Sequence, residues 1–188
     1  MARARSPARR TAATITTTEA AVLALLAVEG ERSGYDLLKL VSKAIAYVWA
    51  PARSRLYTVL PRLVAEGLAE ARTVVQERRP DKQLYRITGA GRRALSEWLE
   101  ADEPDDSAAF NLKLFVGGLT SHDVLARHVE RFLDGRRAYL EELRLIEPTN
   151  TRSGHDYYHY FLLRLGIERT ELDIRWAEGV LHELREAE

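Results

Sequence analysis

Residues 53–68 read RSRLYTVLPRLVAEGL, and their pattern decides which fold the sequence predicts. Apolar residues recur there at helical spacing, which predicts an amphipathic helix whose buried side holds Leu56, Leu60, Leu63 and Val64. The other side carries basic and hydrogen-bonding residues, namely Arg53, Ser54, Arg55, Tyr57, Thr58 and Arg62. Gly67 is predicted to end the helix with a left-handed cap. Such a helix fits the major groove of DNA, although a merely solvated amphipathic helix would have the same pattern.

Two capping boxes ahead of this stretch predict two further helices. Thr16 with Glu19 marks the start of the first helix, and Ser33 with Asp36 marks the start of the second. The predicted buried residues are Ala20, Leu23, Leu26 and Ala27 in the first helix and Leu37, Leu40, Val41 and Ala44 in the second. The stretch quoted above is then the third helix of the chain.

Beyond the third helix the spacing of apolar residues becomes strand-like. Residues 68–77, which carry Thr73, Val74 and Val75, and residues 84–87 predict two strands, and the Arg79–Pro80–Asp81–Lys82 segment between them has the composition of a turn. Together they predict a hairpin. Its tip carries three basic residues, Arg78, Arg79 and Lys82.

Thr88 predicts the start of a helix after the hairpin, with Ala94, Leu95, Trp98 and Leu99 on its apolar side. Three helices, a hairpin and a helix are the element order of a winged helix-turn-helix domain. The sequence therefore predicts a mostly α fold with a small β-hairpin, in which residues 16–100 form this DNA-binding domain.

The charges are unevenly distributed, although 28 basic and 28 acidic residues give a net charge of zero. Residues 1–99 hold 17 Lys/Arg against 9 Asp/Glu, and residues 100–188 hold 11 against 19. Unless surface charge is sorted by chance, this asymmetry predicts that the first half meets a polyanion such as double-stranded DNA. Residues 1–15 are basic and non-periodic, which predicts a disordered arm able to lie on phosphates.

Composition and motifs exclude several kinds of site. The absence of cysteine excludes disulfides, thiolate metal sites and cysteine nucleophiles, and it fits a cytoplasmic protein. The longest apolar run, Ala20–Val28, is too short for a membrane span, and the N-terminus lacks the apolar core of a secretory signal. No glycine-rich phosphate loop, nucleophile elbow or convincing carboxylate pair appears, so we expect neither catalysis nor a cofactor.

The second half is predicted to be a helical dimerisation domain, residues 110–188, which follows an acidic linker over residues 101–109. A short apolar helix is followed by long helices from Ser121 to about Glu147 and from about Tyr157 onward. The first long helix has a coiled-coil-like seam of Leu125, Val129, Phe132, Arg136, Tyr139, Leu143 and Ile146. Homodimerisation would bury such wide apolar sides, and a self-contained intrachain bundle is the alternative.

Several segments of the sequence resemble the PadR family of transcriptional regulators. SGYDLLK (33–39), RLYTVLPRLVAEGLAE (55–70) and DKQLYRITGAGRRAL (81–95) carry the likeness in the first half. NLKLFVGGL (111–119) and LLRLGIERTELDIRWAEGVL (162–181) resemble the C-terminal part of the subgroup with a longer helical tail. The resemblance implies a DNA-binding homodimer, usually a repressor and sometimes released by a small molecule.

One position departs from the family pattern. The family usually has proline directly after the tyrosine of the third helix, whereas here Thr58 follows Tyr57 and Pro61 comes three residues later. Because Pro61 has no N–H to bond the Tyr57 carbonyl, we expect a bend or a local break in the helix.

The candidate DNA contacts lie on the second and third helices and at the hairpin tip. Arg53, Ser54, Arg55, Tyr57 and Thr58, at the leading end of the third helix, are candidates for base edges and nearby phosphates. Phosphate contacts are expected of Lys39 and Arg62, and backbone or minor-groove contacts of Arg78, Arg79 and Lys82. A small aromatic effector could bind among aromatic residues that would otherwise form core or dimer interface, namely Trp49, Trp98, Tyr158, Phe161 and Trp176.

Three other interpretations remain open. A winged helix can also serve as the scaffold of a protein-interaction module, because fold does not fix function. An enzyme acting on a small molecule is the second, although no catalytic constellation favours it. His155 and His159 are four residues apart and could touch a metal, but the pair lacks the glutamate of the protease motif, so no metal is predicted.

Overall fold

A computed structural model describes residues 15–41, 53–75, 81–102, 106–147 and 153–186. The chain divides into two compact units, Met1–Thr120 and Ser121–Glu188. Apart from Ile15, the predicted N-terminal arm lies outside the described residues, as do Ala44, Trp49, Arg78 and Arg79.

The first unit begins with two capped helices, as the sequence predicts. Helix α1 spans Thr17–Glu29 and helix α2 spans Gly34–Leu40. At the start of α1, the Glu19 carboxylate accepts from the Thr16 backbone N–H at 2.7 Å, and the Thr16 hydroxyl accepts from the Glu19 N–H at 3.3 Å. The same reciprocal pair joins Ser33 and Asp36 ahead of α2. Both predicted capping boxes are therefore confirmed.

Helix α3 spans Arg53–Ala65, with Pro61 inside it. The expected local break is therefore wrong. Leu60 and Leu63 are fully buried on either side of Pro61, so core packing holds both halves of the helix although one backbone hydrogen bond is lost. Gly67 has a φ of +71°, and the Leu68 N–H bonds to the Leu63 carbonyl at 2.8 Å, which confirms the left-handed cap.

The described strands form one antiparallel sheet in the order β1–β3–β2. The predicted hairpin is confirmed as β2, Ala69–Val74, and β3, Lys82–Ile87, with Ala71 opposite Tyr85. A two-residue strand that the sequence pattern did not reveal, β1 (Arg32–Ser33), pairs with the other edge of β3. It ties the segment between α1 and α2 to the hairpin.

Helix α4 spans Gly89–Glu100 and packs closely on the end of the hairpin. Its predicted N-cap is confirmed, because the Thr88 hydroxyl accepts from the Gly91 N–H at 3.0 Å and donates to the Gly67 carbonyl at 2.7 Å. A Cβ at Gly91 would lie 2.1 Å from the Leu68 carbonyl oxygen, so only glycine permits this approach.

Helix α5, Ser107–Phe115, belongs to the first unit. Its Ala109 and Leu112 lie in the same buried core as residues of α1, α3 and α4. The division between units therefore falls after Thr120, whereas the sequence predicts a linker over residues 101–109. The acidic composition of that segment led to this difference, because it did not reveal that the helix after it packs back on the first core.

The second unit is an α-helical pair, α6 (His122–Ile146) and α7 (Asp156–Glu186). Ion pairs join the two helices: Arg137 with Glu178 at 2.8 Å, Arg144 with Glu171 at 3.1 Å and Arg185 with Glu130 at 2.5 Å. Of the predicted seam, Leu125, Val129 and Leu143 are buried, whereas Tyr139 and Ile146 are exposed. Among the described helices, none has a segment long and apolar enough to span a membrane.

With three helices, an antiparallel wing and a fourth helix in the first unit, the predicted fold class is confirmed as a winged helix-turn-helix followed by a helical region.

Candidate nucleic-acid interface

Helix α3 has a buried side and an exposed side, as the sequence predicts. Leu56, Leu60 and Leu63 are each at most 1% exposed. Tyr57 is 52% exposed, and Thr58 and Arg62 are exposed as well. Because the apolar side is held in the core, the polar side is the one that the helix offers to a groove.

The position of Tyr57 depends on a glycine at the start of α2. A Cβ at Gly34 would lie 3.2 Å from both the Tyr57 ring and the Leu60 side chain, so α2 and α3 approach closely here. Tyr35, the next residue, is also exposed and was not among the predicted contacts. The structure thus adds Tyr35 as a polar-tipped aromatic beside the start of α2.

Arg62 is engaged within the first unit. Its guanidinium pairs with Glu19 of α1, and with Glu66 one turn along α3 at 3.4 Å. The Glu19 side chain is 2% exposed, and its Oε1 has no hydrogen-bond partner among the described residues, so the charge of Arg62 is what compensates it. Sequence spacing reveals the capping role of Glu19 but not this pair, whose members lie far apart in the chain.

Lys82 opens β3 and pairs with Asp36 of α2, Nζ to Oδ2, at 2.9 Å. The hydrogen bonds from Lys82 and Ser33 lower the pKa of the Asp36 carboxyl to about 2. Both side chains are more than a third exposed, so water screens the pair. An open cleft of about 550 Å³ lies beside it and is also lined by Lys39 and Arg32.

Two further arginines of the sheet are paired with carboxylates. Arg72 Nε donates to Glu31 at 2.8 Å, and this bond lowers the pKa of the Glu31 carboxyl. Arg86 of β3 pairs with Glu70 of the neighbouring strand at 2.8 Å. These pairs orient the two arginines on the exposed sheet.

The remaining predicted contacts within the described residues lie on α2 and at the start of α3. Lys39 is exposed on α2, and Arg53, Ser54 and Arg55 form the first turn of α3. The structure therefore brings the start of α2 next to α3 at Tyr57, and Lys82, at the tip end of β3, next to α2.

Trp98, which the sequence predicts as a possible residue of an effector site or a dimer interface, lies in the core of the first unit. It is almost fully buried, and Lys113 Nζ lies 5.2 Å from its ring centre. Lys113 is itself buried and donates to the Ala101 carbonyl, at the end of α4, at 3.1 Å. This arrangement satisfies a buried ammonium and joins α4 to α5.

The second unit has an extensive exposed apolar surface. On α7 the exposed large side chains are Tyr157, Tyr158, Phe161, Leu162, Leu165, Leu172 and Trp176. The Tyr157 and Phe161 rings pack edge to face at 4.9 Å, and Trp176 packs in the same way on Phe132 at 5.9 Å. Contiguous exposure of this extent is unusual for a monomer and is typical of an interaction surface.

The His155 and His159 rings pack edge to face, with 4.6 Å between their centres. Throughout the described ranges, no group of three or more acidic or histidine side chains is placed to hold a metal ion.

Comparisons with known proteins give matches in both halves of the chain. Residues 22–97 match the model of the PadR-like family of transcriptional regulators, and residues 108–185 match the model named virulence activator alpha C-term. The negative transcriptional regulator PadR of Bacillus subtilis (strain 168) is 28% identical over 172 residues, 86% of this chain and 93% of that protein. Solved structures of Bacillus subtilis PadR, with operator DNA and with p-coumaric acid, cover 90% of this chain and 99% of theirs, at 27% and 26% identity and TM-scores of 0.45 and 0.43.

The two family models match the two halves of the chain in the same order as the segments that resemble the family. Residues 22–97 form a domain of the PadR-like family of transcriptional regulators, a family of DNA-binding proteins and not of enzymes.

Proposed function

We propose that this protein is a homodimeric repressor, which binds operator DNA through α3 and is released by a small aromatic effector. The main support for this DNA-binding mode is that one side of α3 is buried and the other side is exposed. Its leucines are fixed in the core while Tyr57 and Thr58 are exposed. A helix held in this way presents the same side chains to every duplex it meets, which sequence-specific readout requires.

The residues proposed to contact DNA are Lys39, Arg53, Ser54, Arg55, Tyr57, Thr58, Arg78, Arg79 and Lys82, and Arg62 lies on the same helix as Tyr57 and Thr58. Arg53 and Arg55 are assigned to base edges, because arginine is the side chain that most often reads guanine. The excess of basic over acidic residues in the first half supports attraction to phosphate along the rest of the contact.

The proposed dimer uses the exposed apolar side of α7. Leu162 is 69% exposed, and Tyr158, Phe161 and Trp176 are exposed on the same helix. Burial against a second copy would remove this apolar area from water, and a two-fold dimer would match the symmetry of an operator with two half-sites.

The repressor role and the effector are proposed by likeness to relatives. The Bacillus relative is named a negative transcriptional regulator, and a structure of that protein holds p-coumaric acid. Where they do not form the dimer interface, the aromatic residues of α7, notably Tyr158, Phe161 and Trp176, would fit an effector of the same chemistry. A regulator of this kind acts where the chromosome is, so we propose that it works in the cytoplasm.

The test is an electrophoretic shift with DNA from upstream of the protein's own coding region. Competition with unrelated duplex separates specific from generic binding, and a salt titration counts phosphate contacts, because each adds close to 0.9 to the logarithmic slope. Light scattering gives the mass of the free protein. Specific, salt-sensitive binding by a dimer supports the proposal, and a monomer that discriminates no duplex overturns it.

A further inference from the structure

We infer that Arg62 is a positioning residue, which holds the recognition helix α3 on the start of α1 through Glu19, and that it does not contact phosphate. This inference concerns how the proposed DNA-binding mode works, and so it rests on the proposed function. Arg62 lies in the C-terminal half of α3, and Glu19 lies at the third position of α1.

The buried carboxylate of Glu19 holds Arg62 in place. The carboxylate is buried, and its Oε2 is already used by the Thr16 N–H and hydroxyl, at 2.7 and 2.8 Å. Its Oε1 has no hydrogen-bond partner among the described residues and faces the Arg62 guanidinium. If Arg62 turned to a phosphate, a buried carboxylate would lose its compensating charge, which is strongly unfavourable.

Lys82 provides a contrast within the same unit. It also pairs with a capping-box carboxylate, that of Asp36, but this carboxylate is 35% exposed. Water can replace Lys82 there at little cost, because exposed ion pairs contribute little stability. Lys82 is therefore free to exchange Asp36 for a phosphate, whereas Arg62 is not free to leave Glu19.

The two pairs predict opposite effects when each carboxylate is neutralised. Glu19→Gln removes the anchor of α3 while keeping a side chain of the same shape and the basic Arg62. If Arg62 positions the helix, operator binding weakens, by about tenfold. If Arg62 instead contacts phosphate, the same variant removes a competing negative charge and operator binding strengthens. Asp36→Asn is the matched control and is expected to leave operator binding equal to or tighter than that of the unsubstituted protein.

The experiment measures operator affinity over a salt series for Glu19→Gln, Arg62→Met, Glu19→Gln/Arg62→Met, Asp36→Asn and Lys82→Met in the full chain. We expect Arg62→Met to weaken binding with the salt slope unchanged, because no phosphate contact is lost. The double variant should bind more tightly than Arg62→Met alone, since no unpaired buried charge remains. Lys82→Met should lower the salt slope by about one unit.

Urea unfolding of the same variants gives a coupling between Glu19 and Arg62 that does not involve DNA. A coupling in unfolding together with weaker binding by Glu19→Gln supports the inference. Additive effects on unfolding, tighter binding by Glu19→Gln, or a slope lowered by Arg62→Met would each overturn it. If the unsubstituted protein discriminates no duplex, the proposed function fails, and the unfolding cycle still decides whether the pair holds α3.

Discussion

Lys82 Nζ lies 2.9 Å from Asp36 Oδ2, so the tip end of strand β3 is joined to α2 by an ion pair on the carboxylate that caps that helix. The hydrogen bonds from Lys82 and Ser33 hold the pKa of the Asp36 carboxyl at about 2, against an ordinary value of 3.8. A depressed pKa means that the folded state favours the ionised form, so the pair contributes stability above about pH 4.

We expect that contribution to disappear as the pH falls from about 4 to about 2, when the carboxyl becomes protonated. Carboxyl chemical shifts followed by NMR should place the Asp36 titration near pH 2. Urea unfolding at several pH values should show that Asp36→Asn removes this part of the pH dependence. A titration near the ordinary aspartate value would contradict the pairing.

Gly91→Ala should destabilise the first unit strongly. A Cβ at this position would lie 2.1 Å from the Leu68 carbonyl oxygen and 2.9 Å from Ile87 Cγ1, so α4 must move away from the hairpin. Overpacking of this kind costs on the order of 1–3 kcal/mol or more. Gly89→Ala in the same helical turn is the control, because its Cβ would meet only the Arg93 side chain at 3.7 Å. Equal unfolding midpoints for the two variants would refute the close approach.

Arg55→Ala should weaken operator binding by on the order of 1–3 kcal/mol, with the loss concentrated at particular base pairs. Arg55 lies in the first turn of α3, at the leading end of the helix proposed to enter the major groove. Anisotropy titrations against a set of single-base operator variants would locate the affected positions. Arg175→Ala, an exposed arginine of α7, is the control and should leave affinity unchanged. Unchanged binding by Arg55→Ala at every operator variant would remove this assignment.

Leu162→Glu should shift the protein from dimer to monomer. Leu162 is exposed on α7 among Phe161, Leu165 and other apolar side chains, and a carboxylate there would have to be buried without a partner. Sedimentation velocity over a concentration series would measure the shift. Leu162→Met keeps the residue apolar and should remain dimeric. If Leu162→Glu has the same mass as Leu162→Met, the interface lies elsewhere.

Local patterns predicted the parts of the fold that depend on neighbouring residues. The capping boxes at Thr16 and Ser33, the cap at Gly67 and the apolar side of α3 each need only a few residues of sequence, and each was confirmed. The hairpin from β2 to β3 follows from the same kind of signal. Spacing therefore identified the elements and most of the core.

Contacts between distant segments could not be predicted in this way. The pair of Glu19 with Arg62 joins α1 to α3, and no local rule relates their positions. Pro61 predicts a break by local rules, but the buried Leu60 and Leu63 keep the helix whole. An aromatic residue such as Trp98 can bind a ligand, and the sequence alone does not show that it is buried. Its burial depends on packing against α5 and Lys113. Packing between distant segments determines the ion pair, the continuity of α3 and the burial of Trp98.

Ser33 is both the last residue of β1 and the N-cap of α2, with no residue between the two roles. An inserted or deleted residue at this junction would leave either the pairing with Leu84 or the cap unformed. We therefore expect related proteins to differ in length elsewhere at the periphery of the winged domain. The number of residues between β1 and α2 should stay the same in all of them.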